Sequence, residues 1–103
     1  MIGKLYTRIL QDNNNVFVQL ADSSHPLFEA HFPKYPLLPG FALIDIMATL
    51  FEDEIVTIHK SKFIKNIFPN DILECEVSKS EKKRKIKIFR RNVKVSEIIY
   101  ETK

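Results

Sequence analysis

The sequence contains a single cysteine, Cys75, and therefore cannot form a disulfide bond within the chain. Cys75 lies between Glu74 and Glu76 in an alternating segment, so we expect its side chain to face the interior as a small apolar group. Reactive cysteines instead lie in partly exposed, electropositive surroundings. The pattern therefore argues against a catalytic thiol.

No apolar segment is long enough to cross a membrane. The longest apolar run, residues 41–51, is interrupted by Asp45, and the N-terminal residues lack the apolar core of a signal peptide. Internal repeats, linkers and low-complexity segments are also missing, and 45% hydrophobic with 28% charged residues is typical of a folded protein. We therefore expect a cytoplasmic protein that folds as a single domain over residues 1–103, small enough to gain stability from dimerisation.

The histidine and acidic residues show no compelling metal-binding spacing, so we expect no metal ion. His59 is followed by Lys60 in a strand-like segment, and His25 precedes a proline. Both patterns are more typical of structural or solvent-facing histidines than of catalytic ones.

Positive charge is concentrated near the C-terminus, where nine of the sixteen lysine and arginine residues lie between Lys79 and Lys94. One interpretation is a solvated strand face, since exposed faces of antiparallel sheets are commonly polar. A second is a docking surface for an acidic partner. Nucleic acid is the weakest interpretation, because basic charge alone gives non-specific affinity and no nucleic-acid motif accompanies it.

Alternating apolar and polar residues predict a chain of short strands around one helix. We predict strands over residues 4–10, 16–21, 54–68, 72–78, 83–94 and 98–102, with turns near residues 11–15, 69–71, 80–81 and 95–96. Val16, Val18 and Leu20 should share one face. The order indicates an α+β fold in which an antiparallel sheet covers a single helix.

The segment from His25 to Leu50 organises the chain. Its first part contains four prolines, which predict a stiff, non-helical segment over residues 25–39. From Gly40 the residues become apolar on nearly every side, which predicts a buried helix. Asp45 is the ionisable residue of that helix, so we expect it to lie in a largely apolar environment.

The segment contains His31-Phe32-Pro33, Pro36 and Pro39-Gly40, followed by Asp45, which lies five positions after the glycine and fourteen after the histidine. This pattern resembles the active-site segment of the hotdog-fold 3-hydroxyacyl-acyl carrier protein dehydratases. Further along, Lys62-Phe63 and Pro69-Asn70-Asp71 are similar to a strand pair and a turn of the family. The resemblance implies a hotdog fold, in which an antiparallel sheet wraps around one buried central helix.

The resemblance also implies a chemistry without metal or organic cofactor. His31 would remove the C2 proton of the acyl thioester, and Asp45, kept protonated by burial, would deliver a proton to the departing hydroxyl group. The amide of Gly40 would bind the thioester carbonyl at the positive end of the helix, and its missing side chain would let the substrate approach. The substrate channel would be lined by Phe32, Pro33, Pro39, Phe41 and Thr49.

The implied partners are an acyl carrier protein, which is acidic, and a second copy of the chain. Carrier-protein docking is assigned to the basic run of Lys82, Lys83, Arg84 and Lys85. Hotdog dimers join their sheets edge to edge, which implies active sites shared between chains, with His31 of one facing Asp45 of the other. Higher oligomers remain open.

The sequence departs from the family pattern in ways that leave alternatives open. The acid is aspartate where the commonest branch has glutamate, Ala30 and Lys34-Tyr35 replace glycines, and the helix is short for the fold. The pathway could be fatty acid synthesis or a specialised lipid or polyene pathway. A thioesterase in which Asp45 activates water is one alternative, and a non-catalytic subunit that binds acyl groups or a partner is another.

Overall fold

The computed structural model describes residues 4–12, 15–30 and 34–103. In these residues the elements are β1 (Tyr6–Asp12), β2 (Asn15–Leu20), α1 (Pro26–Ala30), α2 (Gly40–Leu50), β3 (Ile55–Phe63), β4 (Ile72–Ser80), β5 (Lys83–Arg90) and β6 (Val93–Thr102). The strands form one sheet in the order β1-β2-β4-β5-β6-β3, and every neighbouring pair is antiparallel. This arrangement confirms the predicted α+β architecture.

The core lies between the inner face of the sheet and α2. Strand side chains point alternately to the two faces, so the apolar alternation in β2, β4, β5 and β6 builds one continuous apolar surface. The strands contribute the buried residues Val16, Val18, Leu20, Leu73, Cys75, Ile86, Ile88, Ile98 and Tyr100. The helix covers them with Ala42, Leu43, Ile46, Met47 and Leu50. The predicted inward face of β2 and the inward position of Cys75 are both confirmed.

The prediction that residues 25–39 contain no helix was wrong for α1. Proline disfavours helical backbone in the residue before it, but it fits the first position of a helix, where its missing N–H costs nothing. Pro26 occupies that position, and Nδ1 of His25 accepts a hydrogen bond of 3.0 Å from the N–H of Leu27. The short helix buries Phe28 in the core.

The predicted strand boundaries were wrong on both sides of the last hairpin. The turn between β5 and β6 lies at Arg91 and Asn92, whose φ values of 51° and 64° are left-handed, and not near Val95 and Ser96, which are buried in β6. Asparagine tolerates this backbone better than most residues, so Asn92 marks the turn. The last strand is consequently the longest of the sheet rather than a short one.

The third strand ends earlier than predicted, at Phe63, and residues 64–71 are irregular. Arg90 holds this irregular segment from β5. Its Nη1 donates to the carbonyl oxygen of Asn66 at 2.8 Å and pairs with Asp71 at 2.7 Å, and its guanidinium lies 5.6 Å from the ring centroid of Phe68. The predicted turn at residues 69–71 is confirmed.

Candidate active site

Three of the predicted site residues, His31, Phe32 and Pro33, lie outside the described residues. The other predicted catalytic, carbonyl-binding and channel residues lie on α2 or immediately before it. Pro39 precedes the helix with an extended backbone (φ −68°, ψ 151°), and Gly40 is the first helical residue. Phe41, Asp45 and Thr49 follow along the same helix, so α2 carries four predicted site residues and Pro39 lies immediately before it.

Phe41, Asp45 and Thr49 form one exposed stripe along α2, which we call the open stripe. Residues four apart lie on the same side of a helix, and the opposite side is the one that packs on the sheet. The expectation of an apolar environment for Asp45 was therefore wrong for the single chain. Apolar residues occur on both sides of α2, but only one side is buried, since Phe41 on the open stripe is 58% exposed.

The start of α2 is anchored by backbone contacts rather than by a side-chain cap. The N–H of Leu38 donates to the carbonyl oxygen of Ile67 at 2.8 Å, which ties the segment before the helix to the irregular segment after β3. Within the described residues, no side chain makes a capping hydrogen bond at Pro39. The first N–H groups of a helix lack intrahelical partners, and the helix dipole is positive there, so this end suits a carbonyl oxygen that gains negative charge.

The ring of Phe63 occupies the position that a side chain at Gly40 would take. A Cβ atom built on Gly40 would lie 2.7 Å from both Cε2 and Cζ of the Phe63 ring. These distances are far shorter than a van der Waals contact between carbon atoms. The Phe63 ring thus fills the space that a Cβ atom of Gly40 would occupy, and the approach of a substrate to the Gly40 amide stays a prediction. Phe63 was noted in the sequence as part of a family pair but was missed as a site residue.

The other end of α2 is held by an ionic cluster that the sequence interpretation missed. Asp53 accepts a hydrogen bond of 3.0 Å from Nη2 of Arg84 and another from the hydroxyl group of Tyr100. The Arg84 guanidinium also lies 4.9 Å from the ring centroid of Phe51. Burial raises the pKa of Tyr100, and its hydrogen bond to Asp53 raises it further.

Arg84 was therefore wrongly grouped with the docking lysines, because only 12% of its side chain is exposed and it is paired with Asp53. A signal for this was present in the sequence. Arg84 has the same strand parity as Ile86 and Ile88, which are fully buried, so the alternation directs it to the inner face. Lys83 and Lys85 have the opposite parity and lie on the outer face.

Lys82 and Lys83 are exposed and Lys85 is half-buried. Lys83 lies opposite Glu101 across the β5–β6 ladder, and Lys85 lies opposite Ile99. On this outer face Lys83 therefore has a carboxylate in the neighbouring strand position, whereas Lys85 has an apolar residue there.

The third strand forms one edge of the sheet and exposes apolar side chains. Exposed fractions are 60% for Val56, 46% for Ile58 and 48% for Phe63. Phe63 lies at the end of β3, against the start of α2. Exposed apolar side chains therefore occur in the first half of β3 and again at Phe63, next to the helix end where the predicted site begins.

The remaining candidate groups are Cys75 and His59. Cys75 is buried, and burial raises the pKa of its thiol to about 12, as expected for a structural cysteine. His59 lies on β3 with its Nε2 3.1 Å from Oε1 of Glu101. In the described residues, no three histidine, cysteine or acidic side chains come together as a metal site, and neither described helix is long and apolar enough to cross a membrane.

Comparison with known proteins identifies relatives along nearly the whole chain. A family model described as ApeI-like, ApeI dehydratase, matches residues 8–99. The 3-hydroxyacyl-acyl-carrier-protein dehydratase FabZ of a Methylobacterium species is 31% identical over 101 residues, which cover 82% of this chain and 61% of that protein. The FabZ of Sinorhizobium fredii is 30% identical over 107 residues, covering 88% and 70%. The chain thus spans less than two thirds of the Methylobacterium protein.

Solved structures agree with the fold. A chain of the dehydratase heterocomplex ApeI:P from Xenorhabdus doucetiae matches with a TM-score of 0.75 and 22% identity over 92% of both chains. An uncharacterised protein from Erwinia carotovora subsp. atroseptica matches with a TM-score of 0.60 and 21% identity, covering 99% of this chain and 94% of the other. The family match and the shared architecture together show that this chain belongs to the ApeI-like family of hotdog-fold dehydratases.

Proposed function

We propose that this chain dehydrates a 3-hydroxyacyl thioester on an acyl carrier protein, in fatty acid synthesis or a related specialised lipid or polyene pathway. The observation that carries the proposal is the exposed position of Asp45, on the open stripe and five residues beyond Gly40. A helix rises about 1.5 Å per residue, so the two positions are only ~7.5 Å apart along the axis. A thioester bound at the helix start can therefore extend along the stripe to Asp45.

The proposed reaction removes a proton from C2 and releases the C3 hydroxyl group as water. His31 takes the C2 proton, which suits an imidazole with an ordinary pKa of ~6.5. Asp45 gives a proton to the departing hydroxyl group. Negative charge on the thioester oxygen is stabilised by the amide of Gly40, and one such preorganised donor contributes ~3 kcal/mol to transition-state stabilisation.

This site requires a second chain. In the single chain the open stripe that carries Asp45 is exposed, so a site that encloses an acyl chain along it needs another surface to cover it. The apolar side chains exposed on the β3 edge support pairing with another chain, since an open strand edge is a template for it. We infer a homodimer in which His31 of one chain faces the partner's Asp45. Because the Xenorhabdus ApeI was solved in a heterocomplex, a partner of different sequence is the alternative.

The carrier protein is proposed to dock on the lysines of the basic run. Lys82 and Lys83 are exposed and Lys85 is half-buried, so their ammonium groups can meet an acidic surface. Arg84 is left out of this surface because it is paired with Asp53.

The function is tested with one 3-hydroxyacyl carrier-protein substrate and three possible products. Formation of the 2-enoyl thioester supports dehydration, release of the free carrier thiol indicates a thioesterase, and binding without product indicates a non-catalytic subunit. His31→Ala and Asp45→Asn should each lower the dehydration rate by about 10²-fold or more, as for positioned acid–base groups.

Glu54→Gln is a matched control, because Glu54 is an exposed carboxylate close to the end of the same helix. This variant should keep the wild-type rate. Full activity of folded Asp45→Asn would remove that residue from the mechanism.

Docking is tested by reversing two charges in Lys82→Glu/Lys83→Glu. The KM should rise for the carrier-protein substrate but not for the same acyl group on a small thiol, because only the protein carries the complementary charge. An equal change for both substrates would assign these lysines to the solvated surface.

A further inference from the structure

The Phe63 ring lies beside the atoms of Gly40 that would meet a substrate. In a helix each Cα–Cβ bond is tilted toward the N-terminus, and the unpaired N–H groups of the first turn point the same way. The Cβ position of Gly40, which is 2.7 Å from Cε2 and Cζ of Phe63, therefore lies on the amide side of the residue. The ring thus forms a wall next to the N–H group proposed to bind the thioester oxygen.

The backbone that carries Phe63 is fixed on both sides. The hydroxyl group of Ser96 donates to the carbonyl oxygen of Lys62 at 2.8 Å. The N–H groups of Ile64 and Lys65 donate to the carbonyl oxygen of Val95 at 2.9 and 3.2 Å. These contacts anchor the end of β3 to β6, so the ring is presented to Gly40 from a rigid base.

We propose that Phe63 is a specificity-determining residue of this site, which excludes acyl thioesters that carry a substituent on C2. C2 is bonded directly to the thioester carbonyl carbon, so a carbonyl oxygen held by Gly40 brings C2 close to this wall. An unbranched 3-hydroxyacyl chain has only hydrogen atoms there, whereas a 2-methyl group needs the space that the ring fills. The inference rests on the proposed function.

The experiment compares an unbranched 3-hydroxyacyl thioester with its 2-methyl analogue. Both can lose one C2 proton and the C3 hydroxyl group as water. In Phe63→Ala, the ratio of kcat/KM for the branched over the unbranched substrate should rise by about tenfold or more, the usual effect of one methyl group in a tight pocket. Phe68→Ala is the matched control, since it also removes a half-exposed ring from this region, and its ratio should not change. An unchanged ratio in folded Phe63→Ala would overturn the proposal.

A second measurement tests the contact without activity. Gly40 has an ordinary helical backbone, so alanine is disfavoured there by the ring and not by strain. Gly40→Ala should lower the Tm in the wild-type background and leave it equal or higher in Phe63→Ala. If Gly40→Ala changes the Tm equally in both backgrounds, the Phe63 ring does not contact position 40, and the proposed specificity role is refuted. If the wild type dehydrates neither substrate, the proposed function fails and the specificity role falls with it, even where the Tm coupling holds.

Discussion

At the scale of single residues, Glu97 shows how this sheet accommodates a carboxylate with little access to water. Glu97 is only 5% exposed, and its Oε2 accepts a hydrogen bond of 3.1 Å from Nζ of Lys60 on the neighbouring strand β3. Lys94 supplies a second ammonium group to Oε1. The hydrogen bond from Lys94, followed by that from Lys60, lowers the pKa of Glu97 to about 2.

This pKa predicts a specific sensitivity to acid. The folded pKa lies below the ordinary 4.5, so Glu97 contributes stability above pH 4.5 that is lost as the pH falls toward 2. Glu97→Gln should therefore be less stable than the wild type at neutral pH and should lose less stability across that acid window. Urea unfolding at a series of pH values measures both effects.

Glu76→Gln provides the control, because Glu76 is an exposed carboxylate of the same sheet. A Glu97→Gln variant with the acid dependence of the wild type would show that the two lysine contacts do not stabilise the folded chain.

At the scale of elements, α2 is fixed at both ends, so its open stripe has a defined orientation. The segment before it is held by the Leu38–Ile67 hydrogen bond. At the other end, Nη2 of Arg8 donates to the carbonyl oxygen of Leu50 at 3.1 Å, and Asp53 connects the chain after the helix to Arg84. A cation at a helix C-terminus also interacts favourably with the helix dipole.

Breaking the ionic cluster should destabilise the chain far more than removing a neighbouring lysine. The side chains of Arg84 and Asp53 are only 12% and 7% exposed, so Arg84→Ala leaves a carboxylate in poor contact with water. We expect Arg84→Ala to lower the free energy of unfolding by about 3 kcal/mol. Lys83→Ala, next in the chain but exposed, should change it by less than about 0.5 kcal/mol. Denaturant titration of both variants would refute the assignment if the two losses were equal.

At the scale of the whole molecule, the proposed dimer makes a quantitative prediction. His31→Ala and Asp45→Asn chains should each be inactive alone. Co-refolding equal amounts should restore about a quarter of the wild-type activity, because about half the dimers are mixed and each mixed dimer has one intact site of two. The measurement is the dehydration rate of the mixture, with mixed dimers counted by native mass spectrometry. Mixed dimers without activity would mean that each site is built within one chain, or that a different partner completes it.

The fold was largely predictable because it depends on local patterns. Apolar alternation identified the strands, and the change of pattern at Gly40 marked the start of α2. The boundaries that failed have particular causes. Proline at the start of α1 was taken as excluding a helix, although its constraint falls on the residue before it. The Arg91-Asn92 turn contains no glycine or proline, so its sequence signal is weak. The turn was predicted instead near Val95 and Ser96, which are part of β6.

The site was predictable only in its residue types and spacing. Phe41, Asp45 and Thr49 share one side of a helix because they are four positions apart, and this could be read from the sequence. That this side faces away from the sheet became clear from the packing of α2. The contacts of Phe63 with Gly40 and of Arg84 with Asp53 also depend on tertiary structure, because the partners are 23 and 31 positions apart in the chain. Such contacts depend on which strands the sheet places next to the two ends of α2, and local sequence patterns do not contain that information.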